Sequence, residues 1–257
     1  MVATKTTSTI SATVTQATLA TGIKTAMQNA GFSATPYDDY TSTNRILVYE
    51  FVSDSNKTYG KSYFLISISS GLVVTTQVAA TWNNSTHAGT NLSTTTTNTA
   101  FASGSNIIAT AFNGGDEYKL VQLVQGSVVV PLGMIAPATR PTWWDMDIWN
   151  YAFSPTGSGW TTWRSSGKNP FSNDAYTNFL NYSALGTANP QTNRRDVLTG
   201  IVILSSSNAG LAAKTSDDFA SVAASGTTRY DIIQPENTTQ QFTIINNTSG
   251  GLAIRTQ

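Results

Sequence analysis

Apolar residues at Leu19, Ile23, Ala26, Met27 and Ala30 recur at the helical period, and Gly31 follows as a stop. This predicts a helix beginning at Gln16. After a polar stretch from Ser33 to Asn44 the period falls to two. Between Arg45 and Ser53, Ile46, Val48 and Val52 share one parity and Leu47, Tyr49 and Phe51 the other. Both faces of that strand are apolar, so it is expected inside a sheet with strands on either side.

The same alternation continues from Lys61 to Ser69, where Phe64, Ile66 and Ile68 oppose Tyr63 and Leu65. Ser69-Ser70-Gly71 then signals a hairpin into Leu72 to Trp82, which makes three antiparallel strands. Asn83 to Gly104, with its threonine run Thr94 to Thr97, has no apolar rhythm and reads as a long loop or an excursion from the sheet. A second hairpin is predicted from Ile107 to Phe112 and Tyr118 to Val124 around Asn113-Gly114-Gly115, with Gln125-Gly126 leading into Val128-Val129-Val130-Pro131.

These elements predict a β-rich α+β fold, in which an N-terminal helix packs on an antiparallel sheet of about five or six strands. Residues 1–14 precede it as a threonine-rich arm or short edge strand, with Val2, Ile10 and Val14 as its contacts to a neighbouring subunit. Residues 15–136 hold the helix and sheet, and 137–197 form a loop-rich segment dense in tryptophan. A short helix is expected from Asn173 to Tyr182, and strands at Leu198 to Ser205 and Arg229 to Ile233. Gln241 to Asn246 and Leu252 to Arg255 are expected to close the chain as a hairpin, and 198–257 to belong to the same domain as 15–136.

Composition narrows the function. The formal net charge is +0 and 11% of residues are charged, so no field exists to attract a phosphate backbone, and nucleic acid is not expected as a partner. There is no cysteine, which removes disulfides and thiolate chemistry. No apolar run spans a bilayer and the first residues lack a signal-peptide core, so synthesis in a cytoplasm and no membrane insertion are expected. The excess of Ser, Thr and Asn points to short strands and turns, and to a weakly charged surface suited to being covered by other subunits.

Five of the six tryptophans fall between Pro137 and Trp163. Such a cluster belongs to a core corner or to a binding surface. As a surface, Trp143, Trp144, Trp149, Tyr151, Trp160 and Trp163 would stack on sugar rings while Asp145, Asp147 and Asn150 bond hydroxyls. Asp145 and Asp147 also stand as a carboxylate pair for glycoside hydrolysis, which requires two such groups flanking a bond. The lone His87 has no nucleophile motif beside it, and the adjacent acids Asp38-Asp39, Asp116-Glu117 and Asp217-Asp218 lack calcium-loop spacing, so neither a metal nor a cofactor is expected.

The segment DEYKLVQLVQGSVVVPLGMIAPATRPTWWD, from Asp116 to Asp145, together with the threonine-rich start, resembles virion structural proteins of tailed bacteriophages, particularly of phages infecting cyanobacteria. The resemblance implies a non-enzymatic tail or baseplate component, residing in the virion and acting through contacts with copies of itself and neighbouring virion proteins. The tryptophans exceed what a plain tube subunit needs and keep a carbohydrate-binding or host receptor-binding role open, with host surface polysaccharide as the partner.

Overall fold

Helix α1 (Gln16–Asn29) forms where the period predicts it. Thr15 caps its start: the Thr15 hydroxyl accepts from the Thr18 N–H, and the Thr18 hydroxyl accepts from the Thr15 N–H. Leu19, Ala20, Ile23, Ala26 and Met27 make the buried face, and the chain leaves the helix at Gly31. The computed structural model describes residues 2–40, 43–52, 60–139, 152–157, 160, 162–165, 178–182, 189–192, 195, 197–205, 210–223, 225–235, 238–247 and 251–257.

The strands in chain order are β1 (Thr4–Ile10), β2 (Tyr37–Asp39), β3 (Arg45–Val52), β4 (Lys61–Ile68), β5 (Val74–Ala79), β6 (Thr81–Asn83), β7 (Ala88–Thr90) and β8 (Thr96–Thr97). There follow β9 (Ile107–Asn113), β10 (Tyr118–Gln125), β11 (Val128–Ile135), β12 (Ser154–Thr156), β13 (Thr162–Arg164), β14 (Asn178–Tyr182) and β15 (Val197–Thr199). The last are β16 (Val202–Ser205), β17 (Leu211–Lys214), β18 (Phe219–Val222), β19 (Ile232–Ile233), β20 (Phe242–Asn246) and β21 (Gly251–Arg255). Among the described residues every strand pairing is antiparallel.

The four-stranded sheet β1-β9-β10-β11 is the layer around which the others pack. One of its faces presents Ile10, Ile107, Ala109, Ala111, Val121, Leu123, Val130, Leu132 and Met134 to a core shared with α1, β3, β4 and β5. Its opposite face presents Phe112, Tyr118, Leu120 and Ile135 to a second core, shared with Phe219, Ile245, Leu252 and Ile254 from the C-terminal strands. Gln122, fully buried on that side, donates its amide N–H to the Ile245 carbonyl at 2.9 Å and so ties the two layers, while its own side-chain oxygen has no partner among the described residues. Alternating side chains on a doubly covered sheet explain why Asp116 to Ile135 is so rich in apolar residues on both parities.

The β-rich α+β class holds, and four details differ from the sequence expectation. The first half carries two sheets instead of one: β2-β3-β4-β5-β8 and β1-β9-β10-β11 face each other with α1 in the shared core. Parity reports that a face is apolar but not which layer covers it. The expected helix from Asn173 to Tyr182 is strand β14 over its described part, Asn178–Tyr182. Leu198 to Ser205 is not one strand, because the chain turns at Gly200 (φ +73°) and passes from the sheet β15-β18-β21-β20-β19 to the sheet β12-β13-β14-β16-β17. The stretch Asn83 to Gly104 contains ordered strands: β7 pairs with β6 in a hairpin and β8 joins the edge beside β5. No helix among the described residues is long and apolar enough to cross a membrane.

Candidate subunit interface

Of the two expectations for residues 1–14, the structure shows the edge strand. Ile10 and Val14 are 6% and 5% exposed and belong to the protein's own core, so they are not available to a neighbouring subunit. Val2, at 39%, is the exposed one of the three. An isoleucine that lands on the inner parity of a strand is buried by its own sheet before any partner arrives, which is why the two apolar anchors of the expected arm are internal.

The register of β1 decides what it offers instead. Thr4, Thr6, Ser8 and Ile10 face Asn113, Ala111, Ala109 and Ile107 of β9. The Gly114 N–H bonds the Tyr118 carbonyl at the β9–β10 turn, which assigns the alternate β9 residues Phe112 and Thr110 to β10 and leaves Asn113, Ala111, Ala109 and Ile107 bonding β1. The even-numbered residues of β1 therefore hold β9, and the N–H and C=O groups of Lys5, Thr7 and Thr9 point away from the sheet. One further residue of that parity, Ala3, already donates to the Arg255 carbonyl at 3.0 Å. Among the described residues no strand covers the outer side of β1.

Soluble proteins guard such edges with outward charges, prolines or bulges. Here the pairing of β1 with β9 runs without a register shift, and the strand reads Thr-Lys-Thr-Thr-Ser-Thr-Ile. Its only charge, Lys5, sits with its ammonium 5.1 Å from the centre of the Tyr230 ring, and partial burial pushes its pKa down. The charge is thus drawn toward the C-terminal strands. Beside the edge, Ser8, Thr9 and Ile10 form a groove of about 450 Å³ with Thr18, Thr21 and Thr25 of α1. The Thr21 and Thr25 hydroxyls donate to the carbonyls of Ala17 and Thr21, so each retains acceptor capacity toward the groove.

The tryptophan segment divides. Trp143, Trp144, Asp145, Asp147, Trp149 and Tyr151 lie outside the described residues. Trp160 and Trp163 are fully buried and join Phe153, Ile201, Ile203 and Ala213 in the second core. A stacking platform needs an open ring face; with both faces covered, these two are core residues and do not contact a glycan. His87 is half exposed, with Nδ1 3.4 Å from Oδ2 of Asp39. Asp38 lies between Arg45 and Lys24, each 2.8 Å from its Oδ2. Hydrogen bonding from Arg45, reinforced by Lys24, holds its carboxyl below the usual range. Among the described residues no group of three or more His, Asp or Glu is placed to hold a metal ion.

The sequence matches no family model, and no curated protein is similar enough to count as a relative. What the sequence reading missed is the direction of the β1 backbone. The strict threonine and serine run of Thr6 to Thr9 was its only trace, since a polar strand without charge fits an edge that is to be covered.

Proposed function

We propose that the protein is a non-enzymatic structural subunit of a tailed-phage virion, placed in the tail or baseplate, which works by assembling with copies of itself and with neighbouring virion proteins. The open outer edge of β1, whose one charge, Lys5, is drawn toward the Tyr230 ring, carries this reading. The virion setting rests on the resemblance of Asp116 to Asp145 and on the hydroxyl-rich, weakly charged composition.

A two-fold axis through Thr7 would pair β1 antiparallel with its copy. Thr7 would meet its own counterpart, and Lys5 would meet Thr9 of the other copy, so no like charges stand opposite each other. About six backbone hydrogen bonds would form, each contributing on the order of 1 kcal/mol net, which is enough to set register but not to supply all the affinity. The remainder would come from the groove, where the Thr18, Thr21 and Thr25 face of α1 lies alongside the added strand. Strand addition of this kind takes its specificity from register and neighbouring side chains.

The test is solution mass by light scattering for the native chain and for Thr7→Pro. Proline at Thr7 removes an outward N–H that β9 does not use. A closed oligomer that Thr7→Pro dissociates supports the reading. A chain that is monomeric at every concentration, or an oligomer indifferent to Thr7→Pro, overturns the edge as the contact.

A further inference from the structure

The β6–β7 hairpin makes a strap over the outer face of the β2-β3-β4-β5-β8 sheet. Its ends are tied to β5 and the residue after it: the Ala80 N–H bonds the Thr90 carbonyl at 3.0 Å and the Ser93 N–H bonds the Val78 carbonyl at 2.7 Å. Its tip is held over β2, where the Tyr37 ring lies 5.4 Å from that of Trp82 and 5.3 Å from that of His87. The contact of His87 with Asp39 adds to this hold. Between strap and sheet lies a pocket of about 360 Å³.

The pocket floor follows from register. Ile46 of β3 lies opposite Ser67 of β4, and Ser67 opposite Thr75 of β5; in the next row Leu65 lies opposite Gln77. All of these are pocket residues, and Trp82, His87 and Leu92 form the wall. Apolar and hydroxyl groups thus alternate across the floor at the spacing of neighbouring strands. The Gln77 amide nitrogen is committed to the Ser93 carbonyl at 2.7 Å, which leaves its carbonyl oxygen as an acceptor. The indole N–H of Trp82 is buried and has no acceptor among the described residues. Among the described residues no Lys, Arg, Asp or Glu lines the pocket.

We propose that this pocket binds a neutral saccharide unit. A pyranose ring offers an apolar C–H face for Trp82, Leu65 and Ile46 and, around its rim, hydroxyls for Ser67, Thr75 and Gln77. An anion is disfavoured because no Lys or Arg side chain among the described residues lines the pocket, while Asp39 stands behind His87. A wholly apolar ligand would cover the polar floor groups without bonding them, at a cost for each. The volume is in the range of small-ligand sites. The site is separate from the tryptophan segment, and it goes beyond the assembly reading without depending on it.

The experiment is calorimetric or NMR titration of the full chain with glucose, galactose, mannose, N-acetylglucosamine and their disaccharides, and with indole as an uncharged apolar probe. Saturable binding of at least one sugar is expected, weakened about tenfold by Trp82→Leu and about fivefold by the near-isosteric Thr75→Val, which removes one hydroxyl. The unfolding midpoint of Thr75→Val should stay near native, which keeps the result interpretable if Trp82→Leu loosens the strap. The proposal is overturned if no sugar binds, if sugar binding survives both substitutions, or if indole alone binds. Solution mass does not enter these readouts, so failure here leaves the light-scattering test of assembly standing, and the reverse.

Discussion

Arg164 donates to the Thr76 carbonyl across 2.7 Å, although the two residues belong to different sheets. The same guanidinium also donates to the Thr94 carbonyl, to the Thr96 hydroxyl and to the Thr76 hydroxyl. Arg164 is fully buried, and burial pushes its pKa down. Among the described residues no carboxylate pairs with it; neutral oxygens hold the charge instead. Removing a buried donor that serves several acceptors strands each of them. Arg164→Met fills the space but leaves the acceptors bare, and should lower stability by about 1–3 kcal/mol. Arg164→Ala adds a cavity and should lower it by about 3–5 kcal/mol. Urea unfolding measures both, and the order Met above Ala in stability is the outcome that places the guanidinium as a brace between sheets.

Backbone direction in β1 gives a paired prediction. Thr6 uses its N–H on β9, so Thr6→Pro should cost about 3 kcal/mol or more of stability, read from the thermal or urea midpoint. Thr7→Pro, one residue on, should leave that midpoint within about 1 kcal/mol of native while altering solution mass. Equal destabilisation by the two would mean that the register places the outward groups elsewhere.

Trp163 is assigned to the core, and its replacement should read as a core defect. Trp163→Ala should lower unfolding stability by about 3–5 kcal/mol, and Trp163→Phe by less, since part of the ring volume remains. A soluble Trp163→Ala with native stability would return this residue to the surface.

Asp38 sets an acid limb. Its folded pKa is depressed by Arg45 and Lys24, so the contribution is present at neutral pH, above the unfolded carboxylate pKa of about 4, and is lost as pH falls through the folded value. The loss should be about 1 kcal/mol, because the group retains some exposure to water and screening is substantial. Asp38→Asn should flatten the pH dependence of the urea midpoint below about pH 4 by that amount and leave the neutral-pH slope unchanged.

Elements built from local pattern were readable before any coordinates. The capped helix from Gln16, the two-faced strand at Arg45 to Val52, the hairpin around Asn113-Gly114-Gly115 and the closing pair of Phe242–Asn246 with Gly251–Arg255 all follow from periodicity and turn residues. These signals are short-range: a side chain's parity and the φ that a turn demands are properties of a few consecutive residues. The candidate contacts were less readable. Ile10 and Val14 looked like anchors for a partner because their apolar character shows without the sheet that covers them, and Trp82 read as the end of a strand and His87 as a loop residue because Tyr37 and Asp39, which meet them, are far away in the chain.

Local sequence thus determined which residues form helix and strand and which parities are apolar. The division of the first half into two sheets, the burial of Trp160 and Trp163, the reach of Arg164 to Thr76, the outward edge of β1 and the pocket beneath the strap were settled by tertiary structure alone. Each depends on which layer meets which, and that choice is made by the packing of whole faces, whose free energy no single stretch of chain contains.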